Sequence, residues 1–179
     1  MKLQMKRDQL LSTNGVSAPD LSLAVIRPAK LSDTALIEAM HRRLSLESMY
    51  YRYLRPYTPS PAEIEQVCQL DESNGAAFVI ALPGSPERIL GLGYYIIQGS
   101  PQAPIADPAI LIEDEFQGLG LGKLLFQQMG QHARSQGVRA FLMLIHLANQ
   151  RMMSLIRRSG FPFQEGKMDL GAREMQVLL

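Results

Sequence analysis

The chain has 179 residues, 46% hydrophobic and 20% charged, with a formal net charge of +1. That length suits one domain with a sizeable core. The balanced charge gives no field to draw nucleic acid or an anionic membrane, and no apolar run nears the roughly 20 residues a bilayer span needs. A lone cysteine, Cys68, excludes an intrachain disulfide and fits a reducing, cytoplasmic setting.

Residues 1–20 are polar and weakly patterned, and are expected to form an extension ahead of a domain over 21–179. Lys2, Lys6 and Arg7 give a basic start, but Asp8, Gln9, Ser12, Thr13 and Asn14 break the apolar stretch that an export signal requires. Leu21 to Arg27 reads as a strand stopped by Pro28. Ser32 and Asp33 are helix-starting residues, and Leu36, Ile37, Met40 and Leu44 follow at helical spacing. The tyrosine-, arginine- and proline-rich stretch from Tyr50 to Pro61 predicts loop, with a short helix over 62–70. Ala76 to Leu82 and Arg88 to Gln98 predict two strands joined through the Pro83-Gly84-Ser85-Pro86 turn. Gly91 and Gly93 weaken the second strand or mark a bulge. A proline-rich turn over 99–104 leads to a third strand, Ile105 to Ile112.

The strongest periodicity comes next. Leu121, Leu124, Leu125, Met129 and Ala133 fall on one helix face, and Gly137 supplies the stop. Val138 to Leu147 is nearly all apolar, as a central strand covered on both faces should be. Asn149 to Arg158 predicts helix, and Phe161 to Lys167 and Glu174 to Leu179 predict final strands. Hairpins mixed with strand–helix–strand units imply an α/β (α+β) domain, a mixed sheet with helices on both faces.

Between the third strand and the strong helix lies Gln117-Gly118-Leu119-Gly120-Leu121-Gly122-Lys123. Glycines there let the backbone approach a ligand closely. The unpaired N–H groups and positive end of the following helix favour a phosphate. Spacing narrows the type. A dinucleotide fingerprint read from Gly120 needs glycine where Leu125 stands, and lacks an acidic residue about 20 positions on. A P-loop needs four residues between its glycines and Ser or Thr after the lysine; here there are three, and Leu124 follows Lys123.

The pattern Gln117-x-x-Gly120-x-Gly122 resembles the coenzyme A loop of the GNAT N-acetyltransferase superfamily. Ile110-Leu111-Ile112 stand where that family runs a strand beside the pantetheine arm, Asn149 where it faces an asparagine to the coenzyme, and Ser159-Gly160-Phe161 resembles its "Leu-Gly-Phe" helix ending. Leu44-Ser45-Leu46-Glu47-Ser48-Met49-Tyr50-Tyr51-Arg52-Tyr53, with Ile26-Arg27-Pro28 upstream, resembles a segment of Pat-like bacterial protein lysine acetyltransferases. The resemblance implies the acyl-CoA N-acyltransferase fold, with six or seven mostly antiparallel strands and four helices. It implies acetyl-CoA as co-substrate, held by Ile110, Leu111, Ile112, Gln117, Gly118, Leu119, Gly120, Leu121, Gly122, Lys123 and Asn149. Lys123, Arg151 and Arg157 could reach its phosphates. The acceptor it implies is a primary amine, a protein lysine ahead of a small amine, in a monomer or homodimer.

Direct attack on a thioester requires a base, because a lysine-like ammonium with pKa near 10.4 is no nucleophile. Pat-like domains carry a glutamate eleven positions before the residue matching Gly118, where this chain has Asp107. Asp107 is the candidate base, acting through a water where its shorter side chain falls short; read without the family, Asp107-Pro108 is a turn dipeptide at a strand edge. An amide near Ile110 to Ile112 would meet the developing oxyanion. The family's thiolate-protonating tyrosine is replaced by Ile156, which leaves no dedicated acid and keeps open a non-catalytic acyl-CoA-binding module. Glu113, Asp114 and Glu115 read as a solvated acidic turn, and His41 and His132 as surface residues. His146, near a strand end, reads first as a satisfied, partly buried side chain and second as a base. No His, Cys or carboxylate set has metal-ligand spacing, so no metal is expected.

Overall fold

The computed structural model describes residues 20–85, 87–100 and 102–179. The extension expected over 1–20, apart from Asp20, and Pro86 and Pro101 of the two expected turns lie outside the described residues. In chain order the elements are β1 (Val25–Pro28), α1 (Thr34–His41), α2 (Leu46–Tyr53), α3 (Pro61–Cys68), β2 (Gly75–Leu82), β3 (Arg88–Ser100), β4 (Ala103–Ile112), α4 (Leu121–Ser135), β5 (Ala140–His146), α5 (Gln150–Arg158), β6 (Phe163–Asp169) and β7 (Ala172–Leu178). The strands form one sheet in the order β1-β2-β3-β4-β5-β7-β6. Every pairing is antiparallel except β4 with β5.

Side-chain alternation divides the core into two layers. One layer buries Leu121, Leu125, Phe126, Met129 and Ala133 of α4 with Phe78, Ile80, Phe141 and Met143 of the sheet. The other packs Ile37 and Met40 of α1 and Ile64 of α3 against Val79, Leu92 and Leu111. The two glycines of β3 do different jobs. The β2–β3 register slips beside Gly91, leaving Leu90 as an extra residue. Gly93 lies under α4, where an added Cβ would fall 2.5 Å from Met129 Sδ and 2.9 Å from Leu125 Cγ, so the missing side chain sets how closely the helix lies on the sheet.

The parallel β4–β5 ladder has two pairs, Ile105↔Ala140 and Ala106↔Phe141. Beyond Ala106 the strands part, and β4 has no partner on its β5 side. Pro108, which lacks an N–H, sits in the parted stretch, where no ladder bond on that side is lost. Asp107 is therefore a mid-strand residue opposite Ile96 and not a turn residue.

The structure corrects the sequence in two elements. Leu21–Leu23, expected to begin a strand, is a 3-10 turn, and β1 runs through Pro28, the residue expected to stop it. Where composition predicts loop over 50–61, the chain is helical to Tyr53, so five helices flank the sheet instead of four. Ser45 caps α2 by accepting from the Ser48 amide at 3.2 Å. Asp114 then accepts from the Ser45 amide (2.9 Å), the Ser45 hydroxyl (2.7 Å) and the Ser48 hydroxyl (2.8 Å). That carboxylate at the helix start opposes the positive dipole end. At the other terminus Leu54 adopts a left-handed conformation, and the Tyr53 hydroxyl meets His41 Nε2 at 3.3 Å. His41 is accordingly buried, its Nδ1 donating to the Ile37 carbonyl at 2.9 Å; burial lowers its pKa and keeps it neutral. His132 is likewise held, bonded to the Tyr95 hydroxyl at 2.8 Å.

In the acidic turn Glu115 is exposed as expected, but Glu113 and Asp114 are structural. Glu113 is 2% exposed and receives Arg43 Nε at 2.7 Å and the Arg88 guanidinium. Burial works to raise its pKa, but the two arginines more than reverse this and hold it below its ordinary 4.5. The stabilisation it supplies is therefore present above pH 4.5 and is lost as pH falls through the depressed folded value. Glu113→Gln should lower unfolding free energy by about 2 kcal/mol at pH 7 and flatten the acid limb of stability, read from urea midpoints at pH 3 to 7. An unchanged midpoint would show that the arginines do no net work there.

Candidate active site

The parting of β4 and β5 opens a cleft of about 1030 Å³. Its sides are β4, β5, the glycine loop, α5 and the C-terminal half of α2. Of the eleven residues singled out for the coenzyme, Ile110, Leu111, Ile112, Gln117, Gly118, Gly120, Gly122, Lys123 and Asn149 line it. Leu119 and Leu121 do not. Leu119 packs against the α4-side core and Leu121 is fully buried there, so either can reach a ligand only through its amide. Arg151 and Arg158 on α5 also line the cleft, whereas Arg157 is turned away to Glu165 at 3.8 Å.

The loop is shaped for an anion. Gly118 and Gly120 have φ of +77° and +87°, which glycine adopts at no steric cost, and nothing lies within 4 Å of where their Cβ atoms would be. Among the described residues no backbone acceptor pairs with any amide from Gly118 to Lys123; the Leu124 amide, bonded to the Gly120 carbonyl at 3.2 Å, begins the helical ladder. Six consecutive donors at the start of the fifteen-residue α4 thus lack backbone partners, beside a cleft that Gly118, Gly120, Gly122 and Lys123 line.

Gln117 holds this loop rather than pointing out of it. Its Nε2 donates to the Ile112 carbonyl (2.9 Å) and the Ser48 hydroxyl (3.1 Å), and its Oε1 accepts from Arg151 at 2.7 Å. One amide so ties the end of β4, α2 and α5 together. Asn149 caps α5, accepting from the Met152 amide at 3.0 Å, with the rest of its side chain on the cleft wall.

Asp107 shares the cleft with these groups and lies on the α2 side of the sheet. It is solvent-exposed, yet the surrounding walls strip enough hydration to push its carboxyl above the ordinary 3.8, while the Arg52 guanidinium pulls the other way. His146 caps the far end of β5; its Nδ1 accepts from the Ala148 amide at 3.2 Å, and its ring lies 5.7 Å and 5.9 Å from those of Tyr50 and Tyr51. It is not among the residues lining the cleft. Ile156, at the position of the family tyrosine, is fully buried. Among the described residues no group of His, Cys, Asp and Glu is placed to hold a metal ion, and no helix is long and apolar enough to cross a membrane.

Ser48 and Arg52, letters of the Pat-like segment, and Arg55 line the cleft, and the sequence reading gave none of them a role in it. The signal that would have found them is the cap residue Ser45, which turns the following stretch into a helix facing β4.

Known proteins resemble this chain in both sequence and shape. A family model described as "Acetyltransferase (GNAT) family" matches residues 41–161. An acetyltransferase of Pseudomonas aeruginosa is 29% identical over 147 residues, spanning 81% of this chain and 78% of that protein. The GNAT domain of S. lividans PAT superposes with a TM-score of 0.78 at 22% identity, over 87% of this chain and 90% of that one. A spermidine N-acetyltransferase from Vibrio cholerae, in complex with CoA and spermine, gives 0.66 at 19% identity over 88% and 96%. A phosphinothricin acetyltransferase from Sinorhizobium meliloti, in complex with acetyl-CoA, gives 0.66 at 21% identity over 88% and 89%. With two thirds of its length matched by one family model and that family's fold throughout the sheet, the chain belongs to the acetyltransferase (GNAT) family and is an acetyl-CoA-dependent acyltransferase.

Proposed function

We propose that the enzyme transfers the acetyl group of acetyl-CoA to a primary amine, a protein lysine foremost, by direct attack with Asp107 as base. The observation that carries this is the run of unpaired amides from Gly118 to Lys123, with Gly118, Gly120, Gly122 and Lys123 lining the same cleft as a carboxylate on β4. In this reading the amides of Gly118, Leu119, Gly120, Leu121, Gly122 and Lys123 hold the pyrophosphate, with Arg151 and Arg158 beside them. The unpaired edge of β4 over Ile110 to Ile112 lies along the pantetheine arm, and an amide there faces the carbonyl oxygen as charge develops on it. Asn149 completes the wall, and Gln117 acts by holding the loop's shape. Acetyl-CoA supplies an acyl carbon already activated toward attack.

Asp107 takes the proton that the attacking amine must lose, through one water where its side chain does not reach. Its raised pKa suits the task, since a base nearer neutrality holds the proton better. No side chain is assigned to protonate the departing thiolate. A thiol with pKa near 8.5 leaves without help, which accords with the buried Ile156. Protein lysine is favoured because the segment resembling Pat-like enzymes folds as α2 and forms the cleft wall facing Asp107. The lone cysteine supports a cytoplasmic enzyme.

Asp107→Asn should lower kcat by roughly 10²- to 10⁴-fold with coenzyme affinity unchanged, measured by thiol release and by calorimetry. A wild-type rate would remove Asp107 from the mechanism. Gly120→Ala adds left-handed backbone strain of about 1 kcal/mol, with nothing within 4 Å to meet the new methyl. Gly120→Glu adds a carboxylate as well. Calorimetry with coenzyme A should show the alanine variant binding and the glutamate variant not; equal affinities would refute the cradle.

A further inference from the structure

The walls of the cleft carry opposite charges. Asp107 on β4 and Glu174 on β7 stand on the sheet side, and Arg52 and Arg55 on and just after α2 stand opposite. Elsewhere Arg27, Arg42, Arg43, Arg88, Arg157 and Arg173 all have carboxylate partners. Arg52, Arg55, Arg134, Arg139, Arg151 and Arg158 have no carboxylate within salt-bridge distance among the described residues; of these, Arg52 and Arg55 line the α2 wall of the cleft, where Arg52 acts on Asp107 and Arg55 on Glu63 through space.

Arg52 is held in place without being neutralised. Its guanidinium donates to the Tyr94 hydroxyl and lies 4.9 Å and 5.4 Å from the ring centres of Tyr53 and Tyr94. Its Nε–H is buried with no acceptor. A buried donor without an acceptor is a costly arrangement that an incoming anion relieves. The helix carrying it is fastened at both ends, by Asp114 and by His41, so the cation cannot readily swing out to water. Arg55, stacked 4.5 Å from the Tyr57 ring centre, adds a second and more exposed cation one turn further on.

We propose that the acceptor is a primary amine with a carboxylate close beside it, its ammonium drawn toward Asp107 and Glu174 and its carboxylate toward Arg52 and Arg55. In a polypeptide this is a lysine next to Asp or Glu; a free α-amino acid presents the same pair of charges. The inference rests on the acetyl-transfer reading of the cleft and adds the acceptor's chemistry. It also separates this enzyme from one built for polycations, because two arginines on the acceptor wall repel a second positive charge.

The test uses two end-capped pentapeptides, lysine between Glu and Asp or lysine between Gln and Asn, and the pair alanine and ethylamine. Binding to the full chain saturated with coenzyme A is measured by calorimetry, and transfer from acetyl-CoA by thiol release. The carboxylate-bearing member of at least one pair should bind about ten-fold more tightly. Arg52→Gln should bring that ratio near one, Arg52→Lys should retain most of it, and Arg55→Gln should lower it partly. A preference confined to the peptides assigns the anion to a polypeptide, and one confined to alanine assigns it to a free amino acid; either upholds the inference. Equal binding within both pairs overturns it, as does an Arg52→Gln variant that weakens both members of a pair alike, since that marks a structural role. Absence of thiol release with every amine would instead count against the transfer reading, and the binding ratios would still decide this one.

Discussion

Two residue pairs hold β4 to β5, and then the strands separate. A parallel pair inside a sheet ordinarily stays paired along its length, because each unpaired backbone group on a buried strand loses a hydrogen bond it had in water. Here Asp107 to Ile112 give up that partner on one side. The opening puts a strand edge in the middle of a sheet, next to a helix start with six unpaired amides. A donor-rich, concave, partly apolar slot follows directly from where the ladder stops. Pro108 marks that place in the sequence, being a residue that cannot serve a ladder on both sides.

A second constraint keeps the slot in shape. The segment Glu113-Asp114-Glu115 between β4 and the glycine loop binds in three directions. Glu113 engages arginines from the end of α1 and from β3, Asp114 caps α2, and Glu115 meets Arg88. Gln117 adds ties to β4, α2 and α5. The loop proposed to hold the donor and the helix proposed to select the acceptor therefore hang from the same few side chains. Rotation of α2 would disturb Asp114, Ser48 and Gln117 together, so the two halves of the cleft are mechanically coupled through short polar contacts and not through the core.

How far the sequence disclosed this depends on the type of signal. The stripe Leu121, Leu125, Met129 and Ala133 and the apolar run from Ala140 fixed α4 and β5 because burial imposes their periods. The glycine spacing around Gly120 excluded two other phosphate loops on geometry alone. What stayed hidden was tertiary. α2 has a single buried residue, Met49, so its stripe is weak; Asp114, some 70 residues away, caps it. The same long-range pairing turned Glu113 from a presumed surface acid into a buried counter-ion and His41 into a buried link to Tyr53. Leu119 and Leu121 fit the loop motif by letter, but their side chains belong to the core. Arg52 is a letter of the Pat-like segment, but its buried Nε–H without an acceptor shows only in three dimensions.

The central claim is that the unpaired amides of the glycine loop and the parted edge of β4 receive one ligand together. The most direct measurement is a backbone amide NMR titration with acetyl-CoA. The account predicts that resonances from Gly118 to Lys123 and from Ala109 to Ile112 shift along a single binding curve, with those of β1 and β6 unmoved. Shifts that spare the loop, or loop and strand responding with different dissociation constants, would contradict it.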